Sequence, residues 1–333
     1  MPAISFYVNI HDKITYDPNF RKILAGLLAT DGSRHYDKFL ISNTETEIHA
    51  LVAGLISAIA QRPVTLRVIA NRININNEKE DEMLSVKYDT YFDVTLVNFD
   101  FLNKLNAFIK IISNDEPINF KAYYNVGIFM GDGIFNNKKH LVGFSLHAFI
   151  NNEPLSNKFR SMLEQMNYKT VNVSNVNSVI LTHEYSKKFA KDFLTYILSL
   201  DNSKIIFLIL NHYRVQNLVN SIINDYNIYI FYKNYTFKIE HGRNGYYIQA
   251  TTRSKGAVLK DFIYNVVNIG KKFGINAQLN IYEFKPRKTV MRTVVHIKRE
   301  FIPVFIALSS FIAKVYPEGI RDNMDNMDIR HGS

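Results

Sequence analysis

Two stretches of the sequence decide the fold: LAGLLATDG at residues 24–32 and VGIFMGDG at residues 126–133. Each places small residues four positions apart: Ala25/Ala29 and Gly26/Thr30 in the first stretch, and Gly127/Gly131 in the second. Residues four apart lie on one face of a helix, so each stretch predicts a helix with a strip of small side chains. A glycine inside a helix costs up to about 1 kcal/mol relative to alanine. Close packing of the two helix backbones would offset that cost, so we predict that the two helices touch.

Each stretch also ends in Asp followed by Gly, at Asp31 and Asp132. If the helices are parallel, these carboxylates meet at the C-terminal ends, where the helix dipoles and their own repulsion are unfavourable. A divalent cation would relieve both effects, and carboxylate oxygens are ligands that suit Mg²⁺. One Asp-Gly pair alone is an ordinary helix end. Two copies, 101 residues apart and each opening a similar series of elements, predict paired metal ligands.

The predicted elements around the two stretches come in the same order. Apolar residues at helical spacing predict the helices, and alternating apolar and polar residues predict the strands. In the first series, helices are predicted at residues 18–31, 46–61 and 99–112, with strands up to residue 43 and at residues 64–76 and 87–97. In the second series, helices are predicted at residues 117–132, 155–166 and 185–200, with strands within residues 135–149, 168–173 and 176–182. Both series are αββαββα.

The remaining sequence predicts a third, looser copy. Its helices are predicted at residues 214–224, 255–273 and 301–316, and its strands at residues 228–240, 246–252, 277–284 and 289–298, with a hairpin turn at residues 241–245. We therefore expect an α+β fold of tandem αββαββα repeats with pseudo-two-fold symmetry, followed by a third α+β unit. The expected boundaries are residues 1–116, 117–201 and 202–318, with a disordered tail at residues 319–333.

Composition excludes several classes of protein. The chain has 333 residues, 47% of them hydrophobic and 21% charged, which is typical of a globular protein. Cysteine is absent, which excludes a disulfide framework, thiolate metal sites and a cysteine nucleophile. No apolar run approaches the roughly 20 residues of a membrane span, and the first residues lack a signal-peptide pattern. We expect a protein that is not secreted and that resides in the cytoplasm, or inside an organelle or a viral host.

Charge is concentrated in the C-terminal part of the chain. Residues 1–200 hold 21 basic and 20 acidic side chains, whereas residues 201–333 hold 19 basic and 10 acidic ones. A basic surplus of this size attracts polyanions, and nucleic acid is the leading candidate. A merely soluble basic domain is the alternative.

These features together resemble the LAGLIDADG homing endonuclease family. Residues 24–32 match its name motif closely, and residues 126–133 match it more distantly. The resemblance covers about residues 18–200, including the αββαββα order and the step ISNTE, residues 41–45, into the second helix. It is greatest to single-chain, two-motif members of the archaeal intron or intein type.

The resemblance implies an activity and a set of site residues. In that family the motif helices join two halves, the motif carboxylates bind a divalent metal, and the sheets form a saddle over DNA. Carried over, Asp31 and Asp132 would be metal ligands and catalytic acids in the hydrolysis of double-stranded DNA with Mg²⁺ or Mn²⁺. Asn43 and His147 would order water, each before the second helix of its repeat. Members of the family often have a lysine near the metal, and here Lys138 or Lys187, or a neighbour of either, would take that position.

Polar residues on predicted strands are candidates for DNA contact, because Arg and Asn suit base edges in the major groove. In the repeats these candidates are Arg67, Arg72, Asn74, Asn76, Lys169 and Asn172. In the third unit they are Arg253, Lys285, Arg287, Lys288 and Arg292, to which the charge assigns a phosphate-anchoring role. We expect a monomer that binds no membrane.

Two other functions remain open. A non-cleaving relative would be an RNA-splicing maturase that binds structured intron RNA, and a third possibility is a DNA-binding protein on the same scaffold. Retention of both Asp31 and Asp132 favours the endonuclease, because a binding protein has no need for two repelling carboxylates. The basic third unit favours the maturase.

Overall fold

The computed structural model describes residues 5–10, 15–35, 37–76, 83–93, 111, 117–146, 152–171, 178–242, 245–287 and 290–318. These residues fall into two compact units. Unit 1 comprises the described residues up to Phe189 together with Leu200–Leu208, and unit 2 comprises Ala190–Ser199 and the residues from Ile209 onward.

The fold is mixed α+β, and its strands pair antiparallel throughout the described sheets. The helices are α1 (Asn19–Asp31), α2 (Thr46–Ala60), α3 (Ile118–Asp132), α4 (Glu153–Gln165), α5 (His183–Leu198), α6 (Ser203–Leu210), α7 (Tyr213–Ile222), α8 (Arg253–Lys272) and α9 (Ile302–Ser309). The strands of unit 1 are β1 (Ser5–Ile10), β2 (Gly32–His35), β3 (Lys38–Asn43), β4 (Val64–Asn76), β5 (Met83–Asp93), β6 (Gly133–Asn136), β7 (Leu141–Phe144) and β8 (Val179–Ile180). The strands of unit 2 are β9 (Ile228–Tyr232), β10 (Tyr235–Gly242), β11 (Gly245–Ala250), β12 (Leu279–Arg287), β13 (Val290–Ile297) and β14 (Lys314–Pro317).

A five-stranded sheet in the order β1-β4-β5-β3-β2 forms one part of unit 1. Its inner face follows the alternation of the sequence, with Phe39, Ile41, Leu66 and Val68 buried. Helix α2 packs against strands of this sheet and buries an apolar stripe of its own, and α1 lies beside α2. The apolar alternation of the strands thereby meets the apolar stripes of the helices in a single core.

Aromatic side chains form the core around the second Asp-Gly stretch. Helix α3 leads into the hairpin of β6 and β7, which β8 extends to a three-stranded sheet. Phe144 contacts Phe129, Phe159 and Phe189, with ring centroids 6.3, 5.2 and 5.6 Å away. Each of these rings comes from a different element, so this cluster holds α3, β7, α4 and the start of α5 together.

Unit 2 contains a six-stranded antiparallel sheet in the order β12-β13-β11-β10-β9-β14. Helices α8 and α9 cover one of its faces, on which Ile239, Ile248 and Val295 are buried. An ideal Cβ on Gly256 of α8 would lie 2.5 Å from Oγ1 of Thr293, so α8 comes close to β13 because Gly256 has no side chain.

The prediction of a single strand at residues 228–240 was wrong. The chain turns between β9 and β10 at Lys233 and Asn234, whose φ values of 45° and 64° are both left-handed. Two successive residues of this kind make a hairpin turn that matches the twist of paired strands, and Asn tolerates that backbone well. Gly242 pairs with Gly245, which confirms the hairpin predicted at residues 241–245.

The predicted helix at residues 301–316 is shorter in the structure. A 3₁₀ turn (Arg299–Phe301) leads into α9, which ends at Ser309, and Lys314–Pro317 forms the edge strand β14 against β9. Strand β1 and helix α6 were not predicted at all. The apolar run of α6 lacks a polar face, so its periodicity carried no signal.

Two predictions lie outside the described residues: the helix at residues 99–112, apart from the helical Ile111, and the tail at residues 319–333. Among the described helices, none has the length and apolar character that a membrane crossing requires.

Candidate active site and nucleic-acid interface

Helices α1 and α3 touch backbone to backbone. An ideal Cβ on Gly26 would lie 2.1 Å from the carbonyl oxygen of Tyr124, and one on Gly127 would lie 2.0 Å from that of Ile23. Neither position has room for a side chain, so the predicted contact between the helices is present. In α1 the face in contact carries Gly26 and Thr30.

The two helices run parallel, because contacts advance together along both. Gly127 lies against Ile23, whereas Gly131, one turn later, lies against Thr30 and Asp31. An ideal Cβ on Gly131 would be 2.9 Å from Oδ2 of Asp31. The carboxylate of Asp31 therefore reaches the residue that precedes Asp132 in the chain.

Asn43 is brought to Asp31 by the hairpin that follows α1. Gly32 pairs with Ile41 on β3, and the strand ends two residues later at Asn43. Nδ2 of Asn43 donates a hydrogen bond of 2.8 Å to Oδ2 of Asp31, and Oδ1 of Asn43 accepts one of 2.8 Å from the backbone N–H of Glu45. The second bond orients the amide, so that its donor faces the carboxylate. Asn43 itself is buried.

A buried histidine supports this arrangement from α2. Nε2 of His49 lies 3.3 Å from the carbonyl oxygen of Asn43, and Nδ1 lies 2.5 Å from Oγ1 of Thr90. Because a carbonyl only accepts, Nε2 carries the proton and Nδ1 accepts from the Thr90 hydroxyl. Burial lowers the pKa of His49, against the opposing effects of the Asn43 carbonyl and the Asp89 charge. Sequence analysis missed this residue, since an isolated histidine near a helix start has no distinguishing pattern.

The second Asp-Gly stretch has different surroundings. Gly133 pairs with Phe144, and two residues later stands Leu146, in the register position that Asn43 has after α1. Leu146 is buried and has no polar side-chain group. The backbone N–H of Ser145 donates to the carbonyl oxygen of Asp132 at 3.2 Å. His147, the predicted counterpart of Asn43, lies outside the described residues.

The two candidate lysines are placed differently. Lys138 is exposed in the turn between β6 and β7, where its backbone N–H bonds to Oδ1 of Asn136. Four strand residues separate that turn from Asp132, or about 13 Å at 3.3 Å per residue. Lys187 is half-buried in the first turns of α5. Its neighbour Lys188 has its Nζ 4.4 Å from the ring centroid of Tyr168.

The outer face of the five-stranded sheet is polar. Arg67, paired with Tyr7 of β1, is exposed there, as are Lys87 and Tyr91 of β5. A bulge between Ala70 and Arg72 inserts one residue into β4. This extra residue shifts the alternation by one, and backbone positions 72, 74 and 76 thereby share the side of the sheet with position 67. The bulge unites the candidates Arg67, Arg72, Asn74 and Asn76 on one side of the sheet.

The other candidates for nucleic-acid contact are dispersed. Lys169 is exposed, with its Nζ 5.8 Å from the ring centroid of Tyr185, and Arg253 is exposed at the start of α8. Lys285 and Arg287 belong to the end of β12, and Arg292 of β13 lies over the Phe284 ring at 5.8 Å. Asn172 and Lys288 lie outside the described residues.

No family model and no curated protein sequence matches this chain. Among solved structures, the chain is similar to three of the homing endonuclease I-DmoI. Each match covers 53% of this chain. The structure of mesophilic variants is 11% identical, with 90% of that chain covered and a TM-score of 0.34. The complex with DNA and Mn is 13% identical, with 97% covered and a TM-score of 0.34, and the complex with DNA and Ca is 14% identical, with 90% covered and a TM-score of 0.35. These TM-scores are too low to infer a shared function. The function of this chain therefore has to be argued from its own residues.

Proposed function

We propose that this protein is a divalent-metal-dependent endonuclease that hydrolyses double-stranded DNA at a specific site, as members of the LAGLIDADG homing endonuclease family do. The proposal includes two related repeats, residues 1–116 and 117–201, which meet at α1 and α3. The observation that carries it is the parallel contact of these helices, which brings the Asp31 carboxylate beside Gly131 and so beside the start of the second Asp-Gly pair.

The donor set fits Mg²⁺ or Mn²⁺. No group of three or more His, Cys, Asp or Glu side chains suited to a metal occurs in the part of the chain that the structure describes. Mg²⁺ does not require such a group, since it usually keeps several waters and takes one or two carboxylates together with phosphate oxygens. Asp31 and Asp132 would hold the ion, whose chemistry when bound is to lower the pKa of water and to stabilise charge on the phosphate and leaving oxygen.

The chain's own residues orient and stabilise the site. Asn43 holds one oxygen of Asp31 and favours the ionised carboxylate through a charge-assisted hydrogen bond. His49 in turn holds the backbone of Asn43. The glycines of α1 and α3 let the two Asp-Gly ends approach. His147, Lys138 and Lys187 remain candidates for the second half of the site.

DNA contact belongs, in this proposal, to the outer face of the five-stranded sheet, where Arg67 and Lys87 are exposed and the bulge in β4 adds positions 72, 74 and 76. Two antiparallel strands with donor side chains fit the major groove, in which Arg and Asn distinguish base pairs. Lys169, Asn172, Arg253 and the cations of residues 285–292 would contact phosphates.

Cleavage of a plasmid that carries the gene's own insertion site tests the proposal. Purified protein with Mg²⁺ or Mn²⁺ should convert the supercoiled plasmid to a linear product, and a plasmid without the site should stay intact. Binding of the target without any cleavage in either metal would refute the endonuclease and support the binding protein. Stimulation of intron splicing without any DNA cleavage would support the maturase.

A further inference from the structure

Among the residues that the structure describes, no helix packs on one face of the six-stranded sheet in unit 2, which we call the open face. The described helices α8 and α9 pack on the opposite face, where Ile248 and Val295 are buried. On the open face Tyr282 and Phe284 of β12 are exposed to 51% and 44%. The surface is concave and encloses about 1260 Å³ above β11, β13 and β12. Large aromatic side chains are left in water here, although the sheet has buried others on its far side.

Four rings form a row across three neighbouring strands, in which Tyr282 and Phe284 are exposed and Tyr247 and His296 are half-buried. Tyr247 of β11 pairs with His296 of β13, and their ring centroids are 6.1 Å apart. Tyr282 of β12 follows, with its ring centroid 5.3 Å from that of His296. Phe284 lies two residues further along β12. With strands about 4.8 Å apart and alternate residues about 6.6 Å apart, the row offers room for two or three flat groups.

Hydrogen bonds hold this surface in place. The hydroxyl of Tyr247 donates to Oε2 of Glu240 at 3.0 Å, and Nε2 of Gln249 donates to Oε1 of the same carboxylate at 3.2 Å. The bond to Glu240 and burial raise the pKa of Tyr247. Both hydrogen bonds occupy the Glu240 carboxylate, and a second acidic side chain, Glu300, also lines the surface. A ring that is already oriented loses little conformational entropy when it stacks on a ligand.

The charge around the row fits an anionic chain. Arg292 lies over Phe284, and Lys298 and Arg299 line the same concave surface at the end of β13. Residues 201–333 carry 19 basic against 10 acidic side chains. Gln249 and Asn280 line the same surface and offer both donors and acceptors. Rings for flat groups, amides for their edges and cations at the rim are the chemistry that recognises unpaired nucleotides.

We propose that the open face of the unit 2 sheet binds single-stranded RNA, with bases stacked on Tyr282, Phe284 and the Tyr247–His296 pair. Duplex DNA does not suit this surface, because its bases are stacked on one another and their flat faces are not available to the rings. Unpaired bases are common in RNA loops and single-stranded segments. The proposal goes beyond the endonuclease and does not depend on Asp31 or Asp132.

Fluorescence anisotropy with the full chain and a labelled RNA of about 12 nucleotides tests it, since stacking sites cover roughly 4–16 nucleotides. We expect Tyr282→Leu and Phe284→Ala each to weaken binding about tenfold, because each removes one stacked base. Tyr282→Phe keeps the ring and should bind as the wild type does. Tyr264→Ala removes an exposed ring from α8, away from this face, and is the matched control.

Competition separates stacking from a simple phosphate surface. Unlabelled RNA should displace the probe at lower concentration than a DNA strand or a duplex of the same sequence. Equal displacement by the duplex would overturn the proposal, and equal displacement by the DNA strand would overturn its assignment to RNA. Unchanged affinity in both Tyr282→Leu and Phe284→Ala, with unaltered melting temperatures, would also overturn it. Asp31→Asn should bind the RNA normally, so that a failed endonuclease and a failed RNA site give different results.

Discussion

The side-chain amide of Asn43 donates a 2.8 Å hydrogen bond to Oδ2 of Asp31, across the hairpin that follows α1. This bond joins the end of a strand to the end of a helix. After α3 the equivalent register position holds Leu146. At this register position the helix end at Asp31 has a polar amide and the helix end at Asp132 has an apolar side chain, and this difference leads to the first prediction.

Asn43→Asp should reduce DNA cleavage by about 10- to 100-fold, the range for partners that orient a metal ligand. The new carboxylate still accepts from the N–H of Glu45, but it replaces the donor to Asp31 by a repelling charge. Single-turnover cleavage and thermal melting measure the two effects. A loss of cleavage without a large fall in melting temperature is expected, and wild-type cleavage would contradict the role of Asn43.

Asp31→Asn and Asp132→Asn should each reduce cleavage by about 100-fold or more, a larger effect than loss of the outer partner Asn43. Binding of the DNA target should persist, because removing a carboxylate also removes repulsion of phosphate. Asp37→Asn, at an exposed turn position, is the matched control and should cleave normally. Normal cleavage by Asp31→Asn or Asp132→Asn would contradict the assignment of that residue as a metal ligand.

Gly127→Ala should lower the free energy of unfolding by about 1–3 kcal/mol or more, although alanine is the better helix former. Its Cβ would lie 2.0 Å from the backbone oxygen of Ile23, so the helices have to separate. Gly143→Ala is the control, since the nearest atom to its Cβ is 3.4 Å away. Urea denaturation compares the two, and equal stabilities would count against the close helix contact.

Arg67→Ala combined with Lys87→Ala should weaken binding of duplex DNA and reduce its salt dependence. In the groove these cations would also neutralise phosphate charge beside the bases, and each one lost lowers the slope of log K against log salt by up to about 0.9. Both side chains are exposed on the outer face of the five-stranded sheet. Lys158→Ala, an exposed lysine of α4, serves as control. An unchanged slope in the double variant would place the DNA elsewhere.

His49 should make folding sensitive to mild acid. Its pKa is lowered by burial, so the unfolded chain binds a proton more readily than the folded one. Stability is therefore complete above the ordinary histidine pKa of about 6.5 and falls as pH drops below it. Urea denaturation between neutral and mildly acidic pH should show this loss. His49→Gln, which also has a donor and an acceptor, should show a smaller loss, and an identical loss would exclude His49 as its origin.

Local patterns in the sequence were sufficient for much of unit 1. Residues 64–76 were predicted as a strand and form β4 with the same bounds, and α1 and α3 end at Asp31 and Asp132 as expected. Periodicity, Asp-Gly ends and small residues four apart are all properties of neighbouring positions. They determine where a helix begins and ends before any other element is present.

The sequence by itself therefore determined most of the elements of unit 1, the paired Asp-Gly ends and the basic C-terminal part. Tertiary structure alone decided which of the predicted small residues of α1 face α3, that Asn43 reaches Asp31, and that a bulge moves positions 72, 74 and 76 to the side of Arg67. It also selected which tyrosines are exposed, since Tyr246 is buried while Tyr282 is open. Pairing register and helix packing depend on many weak contacts between residues far apart in the chain, and such contacts leave no periodic signal in the sequence.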